Sequence, residues 1–279
     1  MRCTLLTIQA FTMARLPRFV LPGHPQHIII RGNNREPVFN ADEDYRFFLD
    51  KLHDAAKKHQ CDIHAYVLMT NHIHLLATPH KENGISKMMQ MLGRYYVQYY
   101  NYTYQRTGTL WEGRYKASLI DSETYALLCY RYIELNPVRA DMIKHPAEYP
   151  WSSYRANAMG ESDRLITPHL MYEALGQDEA LRQHQYRTLF DGQIDELSLM
   201  QMREATNKAW VLGSDHFKQK IDSQLNRRAD KLSKGGDRKS DEFKRSGINR
   251  DWPHWFWIFI QQPRGQCLPT LPSLLKPTF

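Results

Sequence analysis

Between residues 27 and 136, strand-like and helix-like patterns follow one another in an order that few folds share. Short β-branched runs predict strands, and apolar residues repeated every three or four positions predict amphipathic helices. In chain order the predicted elements are a strand at 27–31, a helix at about 40–60, strands at 62–69 and 72–78, a helix at about 84–102, a strand at 114–120 and a helix from 121 or 122 to about 136. This order predicts an α+β fold, a ferredoxin-like split β-α-β sandwich with an antiparallel sheet.

Local sequence signals predict where several of these elements begin or end. The pair Thr70-Asn71 lies between two strand-like runs and predicts a hairpin. Asn40 followed by Glu43 is typical of a capping box, which would open the first helix. Pro137 predicts that the last of these helices ends at about Asn136, because proline cannot donate a backbone hydrogen bond.

Composition indicates a globular chain with a basic surface. Hydrophobic residues make up 42% and charged residues 24%, which excludes collagen, coiled coils and wholesale disorder. The net charge of +7 favours a polyanionic partner without establishing one. The four cysteines form no C-x-x-C pair, which argues against a zinc ribbon and for a reducing compartment. No apolar run approaches the roughly 20 residues that cross a bilayer, so we expect a cytoplasmic protein without membrane contact.

The strongest chemical signal is the pair of histidines in the third predicted strand. Alternate side chains of a strand share a face, so His72 and His74 point the same way, about 7 Å apart, while Ile73 points into the opposite layer. Two imidazoles at that distance can both reach one cation. From the spacing alone, two polar side chains on a half-exposed strand are the simpler interpretation.

The helix that ends near Pro137 carries a candidate nucleophile. Residues four apart lie on one stripe of a helix, so Tyr132 and Asn136 face the same way. Tyr130 is about 200° further round and faces elsewhere. Tyr132 is therefore the tyrosine that can join Asn136 at a site, although a core aromatic is the simpler interpretation when the spacing is taken by itself.

Basic and aromatic residues suggest contacts with nucleic acid. The strand and turn cations Arg31, Arg35, Arg114 and Lys116 could bind phosphates, although each alone could be a solvated charge. A tyrosine-rich helix that includes Arg94 could stack unpaired bases, but such a pattern more often has a core face and solvated phenols.

Other sequence signals are weaker. The remaining amino-terminal histidines, including His27 and His64, lack partners at useful spacing and are expected to be structural. Phosphate-loop, dinucleotide-binding and serine-hydrolase motifs are absent.

Composition changes beyond residue 159, which predicts a second region of the chain. Residues 159–246 form a predicted accessory region, helical and basic, that could bind DNA. Within it, 201–225 resembles two helices around Leu212-Gly213-Ser214, and 227–239 has six basic residues against two acidic ones, typical of a flexible cationic arm. Residues 1–12 are an uncertain extension, and 247–279 fits no pattern.

Five blocks of sequence together resemble the REP-associated tyrosine transposases, a branch of the single-tyrosine HUH transposases of bacterial insertion sequences. The blocks are His27–Arg35, Met69–Leu76, Leu110–Lys116, Tyr132–Ala140 and Trp151–Tyr154. The resemblance covers residues 13–160, and a looser match continues from Arg203 to Ser240. It implies an HUH catalytic domain at 13–158 with the sandwich fold already predicted from the pattern.

The resemblance also implies a chemistry. His72, His74 and Asn136 would bind a divalent cation, Mg²⁺ or Mn²⁺, although imidazole chemistry alone favours Mn²⁺ or Zn²⁺. Tyr132 would attack single-stranded hairpin DNA, leaving a 5′-phosphotyrosine and a free 3′-OH, and reversal of that step would join strands. The cations expected to hold the DNA are Arg31, Arg35, Arg94, Arg114 and Lys116, in a monomer or homodimer.

Two other functions fit the same pattern. One is a domesticated, catalytically silent protein that binds hairpin DNA, and the other is a metal-dependent RNA nuclease or toxin on the same sandwich. The presence of both histidines, Tyr132 and Asn136 argues against loss of catalysis.

Overall fold

The structure is a computed structural model of the 279-residue chain, and it describes residue 18 and residues 21–225. These residues belong to the first of two compact units, Met1–Lys231. The predicted extension at 1–12, the cationic arm at 227–239 and the tail at 247–279 lie outside the described residues. Within the described part, no helix has the length and apolar character needed to cross a membrane.

A four-stranded antiparallel sheet with the order β2-β3-β1-β4 forms the centre of this unit. This topology confirms the predicted ferredoxin-like sandwich. The strands are β1 (Gln26–Arg31), β2 (Cys61–Met69), β3 (His72–Pro79) and β4 (Lys116–Leu119). The hairpin between β2 and β3 turns at Thr70-Asn71, since Met69 pairs with His72.

Helices cover both faces of the sheet. The described α-helices are α1 (Asp42–His59), α2 (Gly84–Thr103), α3 (Ser122–Glu134), α4 (Asn136–Arg139), α5 (Tyr154–Met159), α6 (Leu170–Glu173), α7 (Glu179–Thr188), α8 (Glu196–Lys208) and α9 (Asp215–Leu225). Short 3₁₀ turns lie at Asn33–Arg35 and Pro146–Glu148.

The alternation of side chains along each strand separates two cores. Ile73 and Leu75 of β3 belong to the core that includes α1 and α2. Leu76 points the other way, into a core that it shares with Tyr132 and Ile133 of α3. His74 has the same parity as Leu76, so it lies on the α3 side of the sheet, as the strand period predicts.

The first helix begins differently from the prediction. Asn40 and Glu43 do not form the expected capping box. Instead Oδ2 of the buried Asp44 accepts the backbone N–H groups of Asn40 at 2.7 Å and Ala41 at 3.0 Å. A carboxylate at this position satisfies free N–H groups at the helix start, and the sequence offered two acidic residues, one position apart, that could do so.

The tyrosine-rich helix α2 mainly supports the core. Tyr96 and Tyr100 are buried, and the hydroxyls of Tyr99 and Tyr104 donate to the carboxylate of Asp44 at 2.9 and 2.7 Å. Tyr95 and Tyr102 are exposed. This arrangement matches the core-and-solvent interpretation of the tyrosine pattern.

The segment between α8 and α9 is attached to the end of β4. The Leu212 N–H donates to the Leu119 carbonyl, and the Asp121 N–H donates to the Leu212 carbonyl, both at 2.8 Å. The Asp121 carboxylate also accepts the N–H and hydroxyl of Ser214 at 3.1 and 3.0 Å. Helix α8 packs on β1 and β4, which places it next to α3 on the same face of the sheet.

Candidate active site

The structure brings the predicted histidine pair and the predicted tyrosine together. The rings of His72 and His74 lie 5.1 Å apart between centroids. The ring of Tyr132, from α3, meets the His74 ring edge-on at a centroid distance of 5.7 Å. His74 and Tyr132 are buried, with 2% and 5% of their surface exposed, whereas His72 is partly exposed. The phenol ring of Tyr132 therefore lies directly beside the His74 imidazole.

Asn136 lies just beyond α3, where the helix is interrupted. Pro137 has no N–H to donate to the Ile133 carbonyl, and the Asn136 side-chain nitrogen donates there at 3.2 Å and to the Tyr132 carbonyl at 2.9 Å. Because carbonyls only accept, these bonds identify which end of the amide is nitrogen. The amide oxygen is left as the acceptor that can serve the cavity, which Asn136 helps to line.

Arg139 is a further residue of the site, and the sequence patterns did not predict it. Its guanidinium lies over the Tyr132 ring, 4.1 Å from the centroid, and Nη2 donates to the Tyr132 carbonyl at 3.0 Å. Nη1 is buried without a hydrogen-bond partner among the described residues. Burial lowers the pKa of Arg139, with Arg203 contributing in the same direction. A spacing of seven residues from Tyr132, two helical turns, was the available signal.

A cavity of about 290 Å³ opens beside these residues. Among the described residues that line it there are three arginines, Arg31, Arg139 and Arg203, and no acidic side chain. A neighbouring cavity of about 390 Å³ shares Arg31 and Asn207 with it. The second cavity adds the cations Arg18, Arg114 and Lys116 and the single acid Glu112. The two cavities form a positively charged path along β1 and β4.

The cations predicted to bind DNA fall into two groups. Arg31 lines both cavities, and Arg114 and Lys116 line the second. Arg35 is exposed in the turn after β1. Arg94 is exposed on α2, whose core lies on the opposite side of the sheet from His74, so the structure does not bring it to this site.

The expectation that His27 lacks a useful partner is wrong. His27 is buried, and its Nε2 lies 2.9 Å from Nδ1 of His74. Its Nδ1 lies 2.8 Å from the Thr206 hydroxyl. His64 is structural as expected, since it bonds the Thr78 hydroxyl and the Thr167 carbonyl.

The three imidazoles of the site are neutral at neutral pH. Burial, with Arg139 nearby, lowers the pKa of His27 to about 3. Burial, with Arg31 nearby, lowers the pKa of His72 to about 4. Burial also lowers the pKa of His74 well below its ordinary value. Neutral imidazoles keep the lone pairs that metal ligation needs.

The available donors fit a divalent cation that accepts nitrogen and oxygen ligands. They are the imidazoles of His72 and His74 and the amide oxygen of Asn136. In the part of the chain that the structure describes, no three His, Cys, Asp or Glu side chains are arranged to hold a metal ion. The protein would therefore fill only some positions around an ion and leave the others to substrate oxygens or water.

Glu134 is a buried carboxyl between Tyr132 and Asn136 in sequence, on another face of α3. It accepts hydrogen bonds from the hydroxyls of Ser153 and Tyr186, both at 2.6 Å, and from the Asn157 amide at 2.8 Å. Burial nevertheless raises its pKa to about 7, from an ordinary value of 4.5. No cation compensates the charge among these partners.

We expect Glu134→Gln to remove a pH dependence of stability. A carboxyl with a raised folded pKa stabilises the protein fully below the unfolded value of 4.5, and this contribution is lost as pH rises towards about 7. The free energy of unfolding of the wild type, relative to that of the variant, should therefore fall by about 2–3 kcal/mol from pH 5 to pH 8. Urea unfolding of both proteins at each pH measures it, and parallel pH profiles would contradict the buried-carboxyl account.

Comparisons with known proteins find one matching family model and similar solved structures. Residues 22–136 match the family model described as transposase IS200 like. No curated protein matches the chain. A solved REP-associated tyrosine transposase bound to a REP hairpin is 17% identical with a TM-score of 0.44, covering 57% of this chain and 93% of its own. A candidate transposase from Deinococcus radiodurans R1 is 22% identical with a TM-score of 0.31, covering 44% of this chain and 95% of its own.

The matched segment contains both histidines of β3, the adjacent tyrosine of α3 and the asparagine that follows it. The family match therefore agrees with the resemblance that the five sequence blocks indicate. Over residues 22–136, the chain is thus similar to the IS200-like transposases.

Proposed function

We propose that the protein is a metal-dependent transposase that cleaves and rejoins single-stranded hairpin DNA through a 5′-phosphotyrosine at Tyr132. The observation that carries the proposal is the contact between the rings of Tyr132 and His74, whose centroids lie 5.7 Å apart in a cavity that His72 also lines. A phenol next to two neutral imidazoles, in a cavity lined by arginines, suits nucleophilic attack on a phosphodiester.

In the proposed cleavage step, the Tyr132 hydroxyl oxygen attacks the scissile phosphorus. A new P–O bond to tyrosine forms as the bond to the 3′ oxygen breaks. The phenol loses its proton and the departing 3′ oxygen gains one, so charge and atoms balance. Attack by a 3′-OH on the tyrosyl phosphodiester is the reverse reaction and joins strands. Because the tyrosyl ester conserves the phosphodiester bond, the cycle needs no nucleotide cofactor.

The residues of the chain have separate roles in this proposal. His72, His74 and Asn136 would hold the cation. When bound, a Mg²⁺ or Mn²⁺ ion supplies charge that polarises the scissile phosphate and stabilises the leaving oxygen. Arg139 holds the Tyr132 backbone through its Nη2 bond and leaves Nη1 available for a phosphate oxygen.

The DNA strand would follow the two positively charged cavities. Arg31 lies where they meet, and Arg114 and Lys116 continue the path along β4. Cations that contact phosphates fix the position of a strand without reading its bases. Arg35 and Arg94 could contact only DNA that extends beyond this path. The hairpin form of the substrate rests on the sequence resemblance.

Arg139→Met should slow formation of the protein–DNA adduct by about 100-fold. The variant loses a buried cation over Tyr132 and a donor for the phosphate, an effect comparable to removing one charge-stabilising hydrogen bond in other enzymes. Single-turnover rates with labelled hairpin DNA measure the change. Arg131→Met is the matched control, since Arg131 precedes Tyr132 on the same helix but donates to the Gly192 carbonyl. Equal rates in both variants would exclude a catalytic contribution from Arg139.

A test of the proposed function uses hairpin DNA labelled at either end, mixed with the full chain and Mn²⁺. A 5′-phosphotyrosine retains the fragment on the 3′ side of the cut. The 3′ label should therefore migrate with the protein under denaturing conditions, and the 5′ label should be released on a fragment with a free 3′-OH.

Each other outcome of this test contradicts the proposal. Retention of the 5′ label instead would mean a linkage of the opposite polarity. Tight hairpin binding with no adduct in Mg²⁺ or Mn²⁺ would favour the catalytically silent DNA-binding protein. Metal-dependent cleavage of RNA without an adduct would favour the nuclease.

A further inference from the structure

We infer that His27 and Thr206 are positioning residues that determine which nitrogen of His74 serves the cavity. The inference deepens the proposed function, because it concerns the presentation of His74 to a cation at that site. It also gives α8 a role, although α8 lies beyond the segment matched by the family model. Three short contacts link the Met202 carbonyl to His74 through Thr206 and His27.

The chain begins at a group that can only accept. The carbonyl of Met202 lies 2.9 Å from the Thr206 hydroxyl oxygen. Two oxygens at this distance need a hydrogen between them, and the carbonyl has none, so the hydroxyl donates to Met202. Its lone pairs then accept from its other two neighbours, Nδ1 of His27 at 2.8 Å and the Ser118 hydroxyl at 3.3 Å.

The direction of this first bond is transmitted to His74. The Thr206 hydroxyl donates its hydrogen to the Met202 carbonyl. In the contact between His27 Nδ1 and the Thr206 hydroxyl, the hydrogen must therefore lie on Nδ1. A neutral imidazole has only one N–H, so Nε2 of His27 is unprotonated and acts as a hydrogen-bond acceptor. The 2.9 Å contact between His27 Nε2 and His74 Nδ1 therefore takes its hydrogen from His74. Nε2 of His74 is left unprotonated.

A shorter series of hydrogen bonds determines which nitrogen of His72 is protonated. The side-chain nitrogen of Asn71 donates to the Arg35 carbonyl at 2.9 Å, which identifies the other end of the amide as oxygen. That oxygen lies 2.7 Å from Nδ1 of His72 and can only accept, so His72 carries its hydrogen on Nδ1. Nε2 of His72 is bare as well.

In both His72 and His74, Nε2 is thus the unprotonated nitrogen, with its lone pair available. Each hydrogen-bond chain ends on a backbone carbonyl from an element outside β3, namely α8 for His74 and the turn after β1 for His72. Partners of this kind fix the tautomer and orientation of metal-ligating histidines, and their loss typically weakens metal binding about 10–100-fold. Without the Thr206 hydroxyl, His27 could turn its N–H towards His74 and place the hydrogen of His74 on Nε2.

The first measurement uses the metal-free wild-type chain at neutral pH. Two-bond ¹H–¹⁵N correlation spectra distinguish protonated from bare imidazole nitrogens. We expect His27, His72 and His74 to carry hydrogen on Nδ1 and to have a bare Nε2. A protonated Nε2 on His74 in this spectrum would overturn the inference, and this result needs no variant to fold.

The second measurement compares Thr206→Val with Thr206→Ser. Valine has nearly the shape of threonine but lacks the hydroxyl, whereas serine retains it. We expect Thr206→Val to move hydrogen onto His74 Nε2 in the spectrum and to weaken Mn²⁺ binding, measured by calorimetry, about tenfold or more. Thr206→Ser should restore both readouts. An unchanged spectrum and unchanged Mn²⁺ affinity in a folded Thr206→Val protein would contradict the inference.

These outcomes separate the inference from the proposed function. If the wild-type spectrum shows the expected tautomers but no adduct with DNA forms, the proposed reaction fails while the positioning account stands. If the adduct forms and His74 carries hydrogen on Nε2, the positioning account fails alone.

Discussion

Replacing Tyr132 with phenylalanine should abolish the covalent protein–DNA adduct while leaving DNA binding within about twofold of the wild type. The substitution removes only the hydroxyl that is proposed to attack phosphorus. The ring that packs against His27 and His74 stays in place, and so does the surface that Arg139 covers. Denaturing gels with 3′-labelled hairpin DNA and Mn²⁺ measure the adduct, and filter binding measures affinity.

Tyr130→Phe is the matched control for this experiment. Tyr130 lies on the same helix and is also buried, but it packs against Tyr172 and Tyr186, and its hydroxyl accepts a long 3.4 Å bond from the His169 N–H. The control protein should form the adduct at the wild-type rate. An adduct that persists in Tyr132→Phe would show that another residue is the nucleophile.

His72→Ala should slow single-turnover cleavage by about 1,000-fold at saturating Mn²⁺. The variant removes one of the two imidazoles proposed to hold the cation, and loss of about 4 kcal/mol of transition-state stabilisation corresponds to this factor. His72 is the better choice of the pair because it is partly exposed, whereas His74 is buried and its loss would leave a cavity.

The control for His72→Ala is His80→Ala. His80 follows the same strand, is more than half exposed and pairs with Asp62 at 2.6 Å outside the site. Its replacement should leave the cleavage rate unchanged. A cleavage rate for His72→Ala within tenfold of the wild type would remove His72 from the catalytic centre.

The sheet could be predicted from local periodicity, and so could the residues on each side of the central contact. Strand alternation places His72 and His74 on one face whatever the rest of the chain does. Helical periodicity places Tyr132 and Asn136 on one stripe, and the β-α-β-β-α-β order determines that α3 packs against the sheet. The one step that periodicity left open was which face α3 covers, and the structure places it over the histidines.

The partners of these residues could not be predicted in the same way, because they come from distant parts of the chain. His27 and Thr206 are 179 positions apart, and no pattern within either segment indicates the other. Arg139 was closer to prediction, since it lies two turns beyond Tyr132. Arg94 was predicted to bind DNA, but it lies on the side of the sheet opposite the site. The sequence around a basic residue among tyrosines does not indicate which side of the sheet its helix covers.

The helix cap illustrates a smaller error of the same kind. Glu43 and Asp44 are adjacent acidic residues, and both are compatible with a cap at the start of α1. Asp44 is chosen because its carboxylate is buried and also accepts the Tyr99 and Tyr104 hydroxyls from α2. Tertiary contacts thus decided between two candidates that local spacing could not separate.

The most direct measurement is identification of the amino acid that carries the DNA. Trypsin cuts after Arg131 and Arg139, and the peptide between these cuts contains Tyr132 as its single tyrosine, whereas Tyr130 lies in the preceding peptide. Mass spectrometry of the trapped adduct, after nuclease trimming, should find a nucleotide attached to Tyr132 through its 5′ phosphate. A nucleotide on any other residue, or cleaved DNA with no protein-linked nucleotide, would contradict the account.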